Sequence, residues 1–276
     1  MHYQNIPPLY PEEEKMPLSK YYHIPFAAPN PLAQQLIDGG PCDPKLAVMP
    51  NDMAKLISVD GFAEMNYGYC MLPDGAGYVA FYIDYGPLVT PEMLGWYWTW
   101  VNTPPRGTVE GHGNLKYKLT DPIDHIEHRF ANRKDFSGGC YTLETLDLGA
   151  GEKPMGSMHH SYKLYDYVVP MEKLQPLLDA GGTCGGTYET FDEPGSHLIM
   201  NMSRRSARGT TERLSFEWIG YGVDKENRCF VRDPSTPVDE AYLRNVLLHN
   251  QVEHARLAQI LPELYAEYHN KELDAD

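Results

Sequence analysis

His249 and Glu253 stand four residues apart in the segment "LLHNQVEHARL" (247–257). In a helix, side chains at this spacing lie on one face, with about 5–6 Å between their Cβ atoms. An imidazole nitrogen and a carboxylate oxygen placed in this way can bind the same divalent ion. Two alternatives remain open, a metal-free hydrogen bond within the pair and an ion pair between Glu253 and Arg256.

A helical projection places the pair among apolar residues. With Ala241 at the origin and about 100° per residue, His249 falls at about 80° and Glu253 at about 120°, inside the apolar sector. Arg244 and Gln251 fall on the opposite side. A buried carboxylate must find a partner or a proton, so this position favours a ligand role.

A divalent site needs at least one more ligand, and three other segments offer side chains of the right type. Adjacent residues of a strand face opposite ways, so at most one of two neighbouring histidines can point into such a site. The candidates are His125, Glu127 and His128 in "LTDPIDHIEHRF" (119–130), Glu144 in "CYTLETLDL" (140–148), and His159 or His160 in "MHHSYK" (158–163).

The elements that would position these residues are mostly strands. Alternating apolar residues around the turn "PDGAG" predict a β-hairpin over 62–86. Further strands are predicted by segments rich in Tyr, Thr and aliphatic residues. They are 114–122, 138–149, 156–169, 196–205 and 213–223.

Two helices are predicted from residues that are typical of helix N-termini. Thr90 and Pro91 predict a helix over 90–100. Thr236 and Pro237 predict the start of a long C-terminal helix that reaches about Leu261, where Pro262 ends or kinks it. Strands followed by one long helix predict an α+β domain in which an antiparallel sheet grips the helix. The proline-rich residues 1–60 are expected to form an arm, and residues 61–276 the body.

Composition excludes several classes of function. The chain of 276 residues carries 23 basic and 38 acidic residues, a net charge of −15, which repels nucleic acid. Without a run of eighteen apolar residues or a secretory start, no membrane span is expected, and the cytoplasm is the expected location. The five cysteines lack C-x-x-C spacing, which argues against a disulfide framework and a zinc ribbon.

Taken together, several segments resemble the diacetylphloroglucinol and phloretin hydrolase family over roughly residues 60–260. Members of this family are zinc-dependent and hydrolyse the carbon–carbon bond between a polyhydroxylated aromatic ring and an acyl group. Their fold is a helix-grip, as in START domains and the birch-pollen allergen, preceded by an N-terminal extension. The segments, in family order, are "GYCMLPDGAGYVA" (68–80), "VTPEMLGWYWTW" (89–100), "LKYKLTDPIDH" (115–125), "RLSFEWIGYG" (213–222) and "HNQVE" (249–253).

The resemblance implies a zinc site and its ligands. The first zinc histidine corresponds to His125, and the ligands on the C-terminal helix correspond to His249 and Glu253. A strand glutamate completes the family's site. Glu144 is the best match, and Glu152 is the alternative because this segment is shorter here than in the family.

The resemblance also implies the catalytic groups. Tyr117, eight residues before His125, corresponds to a substrate-contacting tyrosine, while His128 replaces a family asparagine. His128, His160 and His197 are the candidates for protonating the ring carbon. The expected partner is a small aromatic ketone, and a homodimer is implied. The competing hypothesis is a non-catalytic helix-grip protein that binds an aromatic or lipid-like ligand.

Overall fold

One antiparallel sheet of eight strands forms the centre of the molecule, and a 29-residue helix lies against one of its faces. The computed structural model describes residues 6–27, 30–132, 134–135, 137–146 and 153–276. The helices are α1 (Ser19–Tyr22), α2 (Pro31–Asp38), α3 (Pro91–Val101), α4 (Leu115–Lys118), α5 (Met171–Asp179) and α6 (Glu240–Tyr268). The strands are β1 (Gly68–Met71), β2 (Gly77–Asp84), β3 (His125–Phe130), β4 (Cys140–Glu144), β5 (Met155–Tyr162), β6 (Thr183–Phe191), β7 (Ser196–Arg205), β8 (Thr211–Ile219), β9 (Tyr221–Asp224) and β10 (Cys229–Arg232). Short 3-10 helices span Glu13–Lys15, Pro44–Leu46, Pro50–Leu56 and Leu164–Asp166.

The strand order of the large sheet is β1-β2-β8-β7-β6-β5-β4-β3, while β9 and β10 form a separate hairpin. Every neighbouring pair in the large sheet is antiparallel. Because β2 pairs with β8, the β1–β2 hairpin and the last strand of the large sheet are neighbours. The expected α+β class, with a large antiparallel sheet and a C-terminal helix, is confirmed.

The β1–β2 hairpin shows how sequence sets the local structure. Gly75 adopts a φ of +80°, and the amide of Ala76 donates to Asp74 Oδ1 at 3.1 Å, which closes the predicted turn. Gly77 begins β2 beneath Leu243 of α6, and a Cβ at that position would collide with the leucine side chain. The glycine therefore allows the helix to approach the sheet closely.

The long helix differs from its prediction at both ends. Asp239 is the N-cap and accepts from the amide of Tyr242 at 2.8 Å, whereas Thr236 Oγ1 accepts from the amide of Ser196. Pro262 lies inside the helix, which continues to Tyr268. A proline removes one amide donor. The predicted end near Leu261 was wrong. Residues beyond the proline, such as Leu264, are buried and pack the last turns of the helix against the core.

The segment 114–122 was wrongly predicted as a strand. Asn114 instead caps α4, accepting from the amide of Lys116 at 3.0 Å. Lys118, two positions further on, donates to Glu13 Oε1 at 2.7 Å. Local capping by the asparagine side chain therefore overrides the apparent alternation.

The N-terminal residues pack onto the body at three places. Tyr22 lies in the cluster around the C-terminal half of α6, Ile37 in the cluster between α6 and β2, and Met53 in the cluster on the other face of the sheet. The division at residue 60 therefore stays a prediction. Within the described residues, no helix is both long enough and apolar enough to cross a membrane.

Candidate metal centre and adjoining cavity

Three potential metal ligands meet where β3, β4 and α6 come together. His125 begins β3 and is paired in register with Glu144 at the end of β4. The Nε2 atoms of His125 and His249 lie 3.3 Å apart, and Glu144 Oε2 lies 3.9 Å from His125 Nε2. All three ligand atoms fall within 4.8 Å of one another. The structure thus brings together three residues that the sequence marked as ligands.

The His125 ring is held on one side by hydrogen bonding and on its face by stacking. Its Nδ1 lies 3.0 Å from the carbonyl oxygen of Tyr117 and 3.3 Å from Thr120 Oγ1. The Tyr117 ring stacks on the imidazole with centroids 3.6 Å apart, and its hydroxyl donates to Glu144. Because the carbonyl accepts only a proton held on Nδ1, the lone pair of Nε2 points to the centre of the cluster.

His249 is held in the matching way by a carboxylate. Its Nδ1 lies 3.1 Å from Asp124 Oδ2 and 3.7 Å from Asp121 Oδ2, and both aspartates are fully buried. Asp124 also accepts from Thr145 Oγ1 at 2.7 Å. A carboxylate behind a ligating histidine fixes its tautomer and raises its basicity. Sequence reasoning missed both aspartates, although they stand directly before His125 in "TDPIDH".

The electrostatics of this cluster favour a cation. Burial lowers the pKa of His249, but Asp124, Glu144 and Asp121 outweigh it and raise the value to about 10. Burial also raises the pKa of Asp121 to about 7, although the charge of His249 partly opposes this. The two facing Nε2 atoms, 3.3 Å apart, require a positive charge between them, which either a proton on His249 or a metal ion supplies. The donor set therefore fits a divalent ion.

Glu253 borders this cluster without belonging to its tightest group. Among the described residues, the only groups of three close ligand atoms are His125–Glu144–His249 and Asp121–Asp124–His249. Burial raises the pKa of Glu253, while the charge of His249 opposes the shift. Its side chain is 12% exposed and lines a cavity that Glu144 and His249 also line.

The alternative ion pair between Glu253 and Arg256 does not form. Arg256 is 1% exposed and donates to the carbonyl oxygens of Leu119, Tyr21 and Tyr22 rather than to Glu253. Glu152 lies outside the described residues.

The cavity, of about 710 Å³, lies between α3, α6 and the face of the sheet that α6 covers. His128 lines it with Nδ1 2.8 Å from Thr142 Oγ1, and burial lowers its pKa to about 3. His160 points to the opposite face, where its ring stacks on Tyr188 at 4.9 Å. His159, the neighbour of His160, is therefore the histidine of this pair that faces the cavity.

A row of alternating histidines and glutamates crosses the cavity wall from β5 to β8. Glu189 lies 3.4 Å from the Nδ1 atoms of both His159 and His197. His197 Nε2 lies 3.0 Å from Glu217 Oε2, and the side-chain Nδ2 of Asn250 donates to Glu217 Oε1 at 2.9 Å. The row links the sheet to the helix that carries His249.

Opposite charges set the protonation of this row. Burial lowers the pKa of His197, but Glu189 and Glu217 raise it to about 10. Burial raises the pKa of Glu189, but His159 and His197 lower it to about 2. His197 therefore carries a proton at neutral pH. The sequence marked His197 but missed its acidic partners, because β6 was not recognised in the glycine-rich "TCGGTYETF" and no pattern placed Glu217 beside it.

Comparison with known proteins places this chain in a family. The family model described as the DAPG hydrolase PhiG domain matches residues 49–266. A phloretin hydrolase of Eubacterium ramulus is 26% identical over 274 residues, covering 93% of this chain and 92% of that protein. The chain therefore belongs to the DAPG hydrolase PhiG family, which confirms the resemblance seen in its motifs and the hydrolase class that it implied.

Proposed function

We propose that this protein is a zinc-dependent hydrolase of aryl ketones. It cleaves the carbon–carbon bond between a polyhydroxylated aromatic ring and an acyl group, as in phloretin or an acylphloroglucinol. The products are a phenol such as phloroglucinol and a carboxylic acid. The observation that carries the proposal is the meeting of His125, Glu144 and His249 at the edge of the cavity. The likeness to a phloretin hydrolase supports the substrate class.

The ligand types support zinc. Two imidazole nitrogens and carboxylate oxygens, without a thiolate, are common ligands of hydrolytic zinc sites, which keep one position open for water or substrate. Bound zinc would lower the pKa of that water or polarise the ketone oxygen. We assign His125, Glu144, His249 and Glu253 as the ligands. Glu253 is included because its carboxylate shares the cavity wall with His249 and Glu144, and the charge of His249 acts on it.

Two residues beside the ligands suit recognition of the phenolic ring. Tyr117 lines the cavity while its hydroxyl holds Glu144 in place. His128 stacks on Tyr117 with ring centroids 4.8 Å apart. Because burial keeps His128 neutral, we assign it as a hydrogen-bonding partner of a phenolic oxygen rather than as the acid.

The reaction requires one proton to reach the ring carbon. Water adds its oxygen to the acyl carbon, and the bond to the ring breaks with its electron pair remaining on the ring carbon. That carbon takes a proton, and the proton released by water restores the donor, so one water is consumed. We assign His197 as the donor, because Glu189 and Glu217 hold it protonated at the cavity wall.

The finer features of the fold are part of the same proposal. A helix-grip fold is supported by α6 lying along one face of the eight-stranded antiparallel sheet. The division into an arm over 1–60 and a catalytic body over 61–276 is kept as a proposal, although the family match already begins at residue 49. The homodimer and the cytoplasmic location stay predictions.

The direct test is incubation with phloretin and with diacetylphloroglucinol, followed by identification of the products. We expect a phenol and a carboxylic acid from at least one of them, and one zinc per chain in protein purified without an affinity tag. A protein that binds these ketones, cleaves neither and takes up no zinc would instead be the non-catalytic binding protein.

A further inference from the structure

Arg213 is the one lysine or arginine among the described residues that line the cavity. It lies on β8, on the same face as Ser215 and Glu217, and is half-buried. Four glutamates line the same space, namely Glu144, Glu189, Glu217 and Glu253. Besides the protonated His197, Arg213 is therefore the cation that faces this acidic surround.

Among the described residues, this guanidinium forms no ion pair with a carboxylate, unlike several other arginines. Arg204, Arg208 and Arg244 each form an ion pair with a carboxylate. Within the described part of the chain Arg213 forms no such ion pair. It donates a hydrogen bond to the Tyr85 hydroxyl, and its charge opposes the rise in the pKa of Glu253, but its Nε is buried without a hydrogen-bond acceptor. A buried donor without an acceptor costs free energy, so the site is suited to an acceptor supplied by a ligand.

The surroundings of Arg213 are built like a binding site. The guanidinium carbon lies 5.2 Å from the centroid of the Trp98 ring, which orients the cation by stacking. Ser203 faces Arg213 across the β7–β8 pairing, and Asn201, next along the same face, leaves its Oδ1 buried and unpartnered. All four side chains line the cavity.

The position of Arg213 along β8 separates it from the row of His159, Glu189, His197 and Glu217, here called the acid–base row. Arg213 and Glu217 are four residues apart on one strand, which is about 13 Å at the usual rise. Glu217 stands by His197, whereas Arg213 lies at the α3 end of the cavity beside Trp98. A ketone whose aromatic ring contacts the row and the metal ligands would extend its acyl chain towards Arg213.

We propose that Arg213, backed by Trp98, forms a subsite for an oxygen at the far end of the acyl group. The ligand chemistry is an acceptor oxygen on that end, carried either by a phenol or by a carboxylate. Arginine suits both, since its planar fork donates several hydrogen bonds and stays charged. The assignment rests on the proposed function, because it takes the aryl ketone as the substrate.

Three ketones test this subsite. They share a trihydroxyphenyl ring and a phenylpropanoyl chain, and differ only at the para position of the far ring, which carries hydroxyl (phloretin), hydrogen or carboxylate. We expect the parent enzyme to favour the hydroxyl or the carboxylate compound over the hydrogen compound in kcat/KM by about 10- to 100-fold. In Arg213→Met that preference should collapse to near unity. The favoured compound identifies the source of the oxygen.

The controls separate this proposal from the general function. Arg205→Met, on an exposed arginine of β7, should keep the parent's preference. If Arg213→Met fails to fold, Trp98→Leu provides the second test and should reduce the preference. Equal kcat/KM for the three ketones in the parent, or a preference that survives in Arg213→Met, overturns the subsite. If none of the ketones is cleaved, the proposed function fails, and calorimetric binding of the same compounds still tests Arg213.

Discussion

The two faces of the eight-stranded sheet differ in chemistry although they share the same strands. In β8, Phe216 and Trp218 point to the face covered by the segment around Met53, and all three are fully buried. Ser215 and Glu217, the alternate residues, point to the cavity. The outer face thus contributes apolar burial, and the inner face holds polar groups close together. Substitutions on the two faces should therefore damage different properties.

The largest loss of zinc and of turnover is expected from substitutions of metal ligands on the cavity face. His249→Ala and Glu144→Gln should each reduce zinc retention and turnover to background, because each removes one of the four assigned ligands and belongs to the group of three that lie closest together. Elemental analysis and a product assay check this, with circular dichroism showing that the fold remains. Full zinc occupancy and normal turnover in either variant would show that the ligand assignment is wrong.

Replacing a large residue of the outer face should instead lower stability and leave zinc binding intact. Phe216→Ala should lower the free energy of unfolding by about 3–5 kcal/mol, because it leaves a cavity in a close-packed core. Denaturant titration measures this. Zinc per folded molecule should stay at the parental value, and loss of zinc without loss of stability would contradict the separation of the two faces.

A smaller effect on zinc affinity is expected from Asp124, whose carboxylate contacts the ligand His249. Asp124→Asn should weaken zinc affinity by about 10- to 100-fold, because the carboxylate that orients His249 loses its charge. Competition with a chelator measures the affinity, and Asp60→Asn, on an exposed aspartate, is the control. Equal affinity in both variants would remove Asp124 from the metal centre.

The acid–base row predicts a pH dependence. The pKa of His197 is raised from 6.5 to about 10, so its contribution to stability is complete below pH 6.5 and is lost as the pH rises through 10. The difference in unfolding free energy between the parent and His197→Gln should therefore shrink from pH 6.5 to pH 10. A difference that stays constant over this window would mean that the glutamates do not hold the proton.

The smallest change is expected at His160, whose neighbour His159 points to the opposite face of the sheet. His160→Gln should change stability by less than about 0.5 kcal/mol and leave turnover at the parental level, because its ring lies at the outer face beside Tyr188. His159→Gln, one residue away, should reduce turnover because it removes a partner of Glu189. If the two variants behaved alike, or in the reverse way, the orientation of β5 would be wrong.

Patterns of local spacing predicted much of this arrangement. The four-residue spacing of His249 and Glu253 placed both on one face of α6, which lines the cavity, and the hairpin and most strands followed from alternation. Alternation could not decide whether His159 or His160 faces inward, because a strand's two faces become distinct only when the neighbouring elements pack. Asp121 was missed since its partner, His249, is distant in sequence.

Pairing across the sheet also lay beyond local patterns. Glu189 meets His159 and His197 only through the registers of β5, β6 and β7, which depend on the whole sheet. The continuation of α6 beyond Pro262 depends likewise on burial of its last turns. Long-range packing, rather than propensity, therefore decided the features that sequence reasoning lacked.

The two imidazoles that face each other are separated by 124 positions in the chain. During synthesis, the strands that carry His125 and Glu144 leave the ribosome well before α6. A growing chain therefore cannot close the metal centre until α6 has been made and has docked on the sheet. Metal capture should then be a late event in the life of each molecule, and a nascent chain truncated before residue 240 should hold the ion no better than an unfolded peptide.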